Sequence, residues 1–208
     1  DFIETAVPTP IDLDATVPLS SEKPKLLEPV ESVSYYDAYV KPEEFDKNKY
    51  KSPKHYNQET NRYKVYQLKN EDRPTIGPGI YLDDNALKKL GLNKVPKIGE
   101  EIDRGIIDSI GKERFNNAVN SATKLLKGTK GEPAINLLAE RIYQMGLPEI
   151  SSWTNTLRLL REGKFKEAAN ESVRNRKGTG EAKWVKQTGR SRVSFFKKRL
   201  KNLNEENK

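Results

Sequence analysis

Glu59-Thr60-Asn61-Arg62-Tyr63-Lys64-Val65-Tyr66, followed after a polar break by Thr75-Ile76-Gly77-Pro78-Gly79, is the stretch on which the fold turns. Tyr63, Val65 and Tyr66 form a short run suited to a pleated strand, and Lys69 to Pro74 is turn material. Thr75-Ile76 then resumes the β-prone pattern, so residues 62–82 read as a hairpin. Gly77 and Gly79 on their own read as turn glycines.

After Gly79 the pattern becomes helical. In 112–127, Phe115, Val119, Ala122 and Leu126 share one face, and the run stops at Gly128. In 134–145, Ile135, Leu138, Ile142 and Met145 repeat the pattern and Gly146 ends it. Shorter helices are expected around 154–162, 164–175 and 191–203, separated by Gly163 and by a glycine-rich segment at 178–180. No internal repeat is visible. In the other direction, Asp1 to about Lys51 holds prolines at 8, 10, 18, 24, 29 and 42 without a sustained apolar period. It reads as an extended arm. Its scattered apolar residues (Phe2, Ile3, Leu26, Leu27, Tyr35, Tyr36, Tyr39) suit a strap lying along other proteins. The expected plan is α+β: a proline-rich arm over 1–51, then a mainly helical domain over 52–205 with a hairpin part near 59–82 and a helical part near 83–205.

Composition narrows the chemistry. The chain has 208 residues, enough for one domain with additional chain. Apolar residues at 34% and charged residues at 33% are low and high for a compact globule, which places part of the length outside any core. No apolar run of about 18 residues appears, and the N-terminus lacks a signal-peptide pattern, so a soluble chain is expected. Beginning on Asp1 without a methionine, the sequence reads as a fragment or processed product. There is no cysteine and a single histidine, His55, so thiol catalysis, a serine–histidine triad and a histidine metal site are poor candidates. No cofactor is expected. The net charge of +8 favours polyanions without choosing among nucleic acid, anionic lipid and acidic wall polymers. No nucleic-acid-binding module is recognisable, so a nucleic-acid partner rests on charge alone. What remains is chemistry of carboxylates, hydroxyls or amides. The natural enzymatic hypothesis is carboxylate chemistry of the glycosidase kind, in which one carboxylic acid protonates the leaving oxygen and a second group holds or activates water, or attacks the sugar directly. With 30 Asp and Glu residues, composition does not select the pair.

The hairpin block resembles the active-site signature of the T-even type phage lysozymes, in which Glu-Gly-x-Arg-x-x-x-Tyr leads through a turn into Thr-Ile-Gly-x-Gly-His. The likeness continues in Tyr143-Gln144-Met145-Gly146, Trp153-Thr154-Asn155-Thr156-Leu157-Arg158, Lys166-Glu167-Ala168-Ala169 and Trp184-Val185-Lys186-Gln187-Thr188, in the family's order. The resemblance implies a lysozyme-like two-lobed fold, with a cleft between hairpin and helical lobes. It also implies hydrolysis of the bond between N-acetylmuramic acid and N-acetylglucosamine in peptidoglycan. By it, Glu59 aligns with the general acid and Thr75 with the threonine that positions the water. Arg192, or alternatively Arg190, aligns with the arginine that pairs with the acid. Gln144 and Trp184 align with residues packed behind the acid, and Tyr81, Tyr143 and Thr156 with the sugar groove.

The chain departs from the family pattern at Leu68, where an aspartate is expected, and at Ile80, where a histidine is expected. Asp72 or Glu71 is left to supply the second carboxylate. A phage tail or baseplate protein, held in the virion through its arm and acting at the bacterial wall, is the expected setting. The alternative is a lysozyme fold weakened in catalysis and retained for structure or wall binding.

Overall fold

The computed structural model describes residues 35–69, 71–127, 131–174 and 180–203. It is an α+β fold, mainly helical, with one small antiparallel sheet. The first described segment corrects the expected arm. A π-helical turn, Tyr36–Val40, runs directly into α1, Lys41–Glu44. Pro42 sits in the first turn of α1, where its missing N–H is not needed. Tyr36 and Val40, four residues apart and so on one helical face, are buried, as is Phe45. The segment α2, Lys47–Lys51, follows, opened by the Asp46 carboxylate accepting from the amides of Asn48 and Lys49. Residues 35–51 thus belong to the folded body; only 1–34 of the expected arm lies outside the described residues.

The sheet comprises β1 (Tyr56–Asn57), β2 (Arg62–Tyr66), β3 (Thr75–Ile76), β4 (Ile80–Tyr81) and β5 (Glu101–Asp103). β2 is central: it pairs with β1, β3 and β5, and β3 pairs in turn with β4. The register places Val65, Ile76 and Ile80 in one row and Tyr66, Thr75 and Tyr81 in the next. Since neighbouring residues of a strand face opposite sides, the first row enters the core and the second is turned to the other face. The hairpin expected over 62–82 is therefore present as three short strands.

The helices are α3 (Asp84–Lys89), α4 (Arg104–Leu125), α5 (Glu132–Met145), α6 (Leu147–Ser151), α7 (Thr154–Arg161), α8 (Phe165–Glu171), α9 (Lys183–Thr188) and α10 (Arg190–Asn202). Those expected at 134–145, 154–162, 164–175 and 191–203 appear with shifted ends. The one expected from 112 begins instead at Arg104, capped by the Asp103 side chain on the Ile106 amide.

Buried apolar side chains form two clusters. Phe45, Tyr63, Val65, Ile76, Ile80, Leu82, Ile107 and Ile110 gather under the sheet, and Tyr36, Phe115, Leu138, Ile142, Trp184 and Phe196 belong to a larger helical cluster. α4 contributes to both, and Tyr143 packs against both. Between them Gly111 admits the Tyr36 hydroxyl so closely that an added Cβ would lie 2.0 Å from it. No described helix is long and apolar enough to cross a membrane.

Candidate active site

The junction of α1, the hairpin, α5 and α10 gathers a set of carboxylates and donors. Glu44 ends α1. Its Oε1 accepts from Arg192 Nη1 of α10 at 3.0 Å and from Gln144 Nε2 of α5 at 3.4 Å. Its Oε2 faces the hairpin turn, 3.4 Å from where a Cβ on Gly79 would stand. Gly79 has φ +74 and Gly77 has φ +53, a left-handed conformation that glycine adopts without strain. At Gly77 an added Cβ would also meet Ile107 at 2.7 Å. The turn is pinned from both sides: the Tyr66 hydroxyl donates to the Gly77 carbonyl at 3.1 Å, and the Tyr143 hydroxyl donates to the Pro78 carbonyl at 3.0 Å.

On the hairpin, the Thr75 hydroxyl donates to Glu71 Oε2 at 2.5 Å. Thr75 is 1% exposed. Burial pushes the Tyr66 phenol up first, and the charges of Glu44 and then Glu71 push it further in the same direction. Tyr143 is likewise raised, by burial above all, with Glu44 adding to it. Lys49 donates to the Glu44 carbonyl, and burial lowers its ammonium.

Glu59, expected as the acid, is not among the residues gathered at this junction. Glu59 lies exposed in the β1–β2 turn, where its own amide donates to the Asn57 side chain. Arg192 does pair with a glutamate across the fold, but that glutamate is Glu44. Fifteen positions separate the two glutamates, filled by α2 and β1. The signals available were Tyr36 and Val40 at helical spacing and a proline followed by Glu43 and Glu44.

Asp72 is also corrected. It accepts from the exposed Tyr81 hydroxyl, which holds its carboxyl below the usual range, while Glu71 alone of the two meets Thr75. Tyr81 shares a sheet row with Thr75, as the register shows. Leu68 is 45% exposed and Ile80 is buried in the sheet cluster.

Gln144, Trp184 and Arg192 line one open pocket of about 660 Å³, together with Glu149 and Lys183. The Trp184 indole donates to the Ser172 carbonyl at 2.7 Å and packs on Trp153 and Phe196, so it is a core residue with one edge in the pocket. Thr156 is buried and lines an adjoining pocket of about 420 Å³, which also includes Glu149 and Lys183. Tyr143 lies instead beside Gly79 and Arg114, in a third pocket of about 220 Å³. Tyr143 and Thr156, both expected in one groove, therefore line separate depressions. Among the described residues no cluster of three or more His, Asp or Glu side chains is arranged to hold a metal. No protein-family model matches the chain, and no curated protein matches it.

Proposed function

We propose that this chain is a glycoside hydrolase that cleaves the bond between N-acetylmuramic acid and N-acetylglucosamine in bacterial peptidoglycan, with Glu44 as the general acid. The observation that carries this reading is the convergence of Arg192 and Gln144 on one oxygen of Glu44 while its other oxygen faces the glycine turn. In such a reaction the acid gives its proton to the glycosidic oxygen as the bond to the sugar breaks. The carboxylate left behind is stabilised by the two donors on Oε1, and Oε2 is the oxygen presented to the substrate. Thr75 and Glu71 would hold the attacking water, the hydroxyl oriented by the carboxylate and the carboxylate accepting the water's proton. The resemblance to T-even type phage lysozymes supports the substrate class, with Glu44 taking the place that the signature alone gave to Glu59. It also supports a two-lobed fold with the cleft between sheet and helices, and a virion tail or baseplate setting in which residues 1–34 engage other tail proteins.

Exposed Leu68 at the family's aspartate position favours a second reading, a lysozyme fold kept for wall binding or assembly. Reducing-end release from purified peptidoglycan separates the two. Wild-type protein is expected to release sugar ends, Glu44→Gln to lose about 10²-fold or more, and Glu59→Gln to match wild type. No release by wild type would establish the second reading instead, and full activity in Glu44→Gln would remove Glu44 from the role.

A further inference from the structure

Behind Glu44 lies a buried polar chain that no step of the proposed hydrolysis uses directly. Arg141 of α5 is 1% exposed. Its Nη1 donates to Gln144 Oε1 at 2.7 Å, and its Nη2 donates to Glu140 Oε1 at 2.6 Å and lies 3.7 Å from Glu43 Oε2. The guanidinium also sits over the Phe196 ring, 5.1 Å from its centroid. Glu140 is fixed in turn by Arg199 Nη1 and the Tyr35 hydroxyl, each 3.0 Å from its Oε2.

We infer that Arg141 is a positioning residue for the acid: it locks the Gln144 carboxamide so that the NH2 group, and not the oxygen, faces Glu44. This rests on Glu44 being the acid. A carboxamide is nearly symmetric in shape, and only its partners decide which end points where. With Arg141 donating to Gln144 Oε1, a flipped amide would set NH2 against a guanidinium and oxygen against a carboxylate, two repulsive contacts in place of two favourable ones. The lock sends a second donor to Glu44 Oε1 beside that of Arg192, which leaves Oε2 toward Gly79 as the oxygen that carries the transferable proton.

Stability alone gives a weak reason for Arg141. It occupies a buried helical position, its Nε lacks a hydrogen-bond partner, and a buried ion pair is often replaceable by apolar residues with no loss of stability. Removing the arginine alone would leave Glu140 buried without it, so the informative variant removes both charges.

The test compares wild type, Glu140→Gln/Arg141→Met and Arg141→Lys in the full chain. The double variant is expected to unfold at the wild-type temperature or above. It should lose about tenfold in kcat with KM within twofold, and the alkaline limb of its pH–rate profile should move upward as the donor to the conjugate base is lost. Arg141→Lys, which keeps one donor and the charge against Glu140, should recover most of kcat. The Gln144 side-chain NH2 protons, followed by NMR, should be protected from exchange in wild type and unprotected in the double variant. Unchanged kcat, pH profile and NH2 protection in the double variant would overturn the inference. Wild-type protein without hydrolase activity would instead defeat the proposed function, and the NH2 protection would still decide whether Arg141 orders Gln144.

Discussion

Arg192 Nη1 and Glu44 Oε1 stand 3.0 Å apart although 148 positions separate the two residues in the chain. A second nitrogen of the same guanidinium donates to the Glu43 carbonyl, so one side chain of α10 fastens both the carboxylate and the backbone of the helix that carries it. A planar fork suits that double task, and a lysine ammonium does not reproduce it. Arg192→Ala is expected to cost about 1–3 kcal/mol in denaturant unfolding, as for a hydrogen bond to a charged group, and to lower wall hydrolysis at least tenfold. Arg192→Lys should fall between. Wild-type activity in Arg192→Ala would mean that Glu44 is held well enough by Gln144 alone.

Glu71 and Asp72 are neighbours with different partners, and that difference gives a sharp expectation. Glu71→Gln and Thr75→Ala should each reduce kcat by about 10- to 100-fold with little change in KM, as expected for groups that act in the transition state. Asp72→Asn keeps an oxygen that accepts from the Tyr81 hydroxyl and alters no contact to Thr75, so kcat should stay within about twofold. The reverse ranking would return the second carboxylate to Asp72.

The strands and most helices were legible because they depend on short-range pattern: Tyr63 and Val65 alternating with the less buried Lys64, and Leu138 and Ile142 one helical turn apart, record which face is buried. Thr75, Gln144 and Arg192 were singled out for a related reason, since each lies in a block with local character. The acid was not. Glu44 is defined by what α10 and α5 bring to it, and those contacts span 148 and 100 positions that no local pattern encodes. The helix that carries it was hidden by Pro42, which reads as a breaker in an arm already rich in prolines, but as a first-turn residue once Tyr36 and Val40 are seen to share a buried face. Glu59 drew attention because its spacing to Tyr66 matched a motif.

Glu43 gives a pH dependence that does not require any substrate. Burial, then the Glu140 carboxylate, push it from its ordinary 4.5 up to about 7, while Arg141 and Arg192 pull the other way. The folded state therefore holds that proton more tightly than the unfolded chain does. Its contribution to stability is fully present below about pH 4.5 and is lost as pH rises through about 7. Glu43→Gln, which stays neutral, should remove this slope, so its advantage over wild type should grow between pH 5 and 8 to about 1–3 kcal/mol in urea unfolding. A difference between the two proteins that does not vary with pH would show that Glu43 ionises normally.

The boundary between arm and body sets the last expectation. Tyr36 and Phe45 are each 0% exposed, one in each apolar cluster, so the residues that join α1 to the hairpin are core residues. Truncating an aromatic of that kind costs about 3–5 kcal/mol through lost burial and the cavity left behind, a large share of a small domain's stability. Tyr36→Ala should cost toward the lower part of that range, because its hydroxyl is buried without a hydrogen-bond partner and its loss relieves that desolvation. Phe45→Ala has no such offset. It also removes edge contacts to Tyr50 and Tyr63, with ring centroids 4.6 and 4.9 Å away, and should loosen the base on which Glu44 stands. Deleting residues 1–34 touches none of these contacts. That truncation should leave thermal unfolding and peptidoglycan hydrolysis near wild type, and should abolish incorporation into the phage particle if the segment is the strap that its prolines and scattered apolar residues suggest. Deleting residues 1–45 should unfold the protein. A shorter truncation that unfolds would move the boundary toward the N-terminus, and one that still incorporates normally would end the strap proposal.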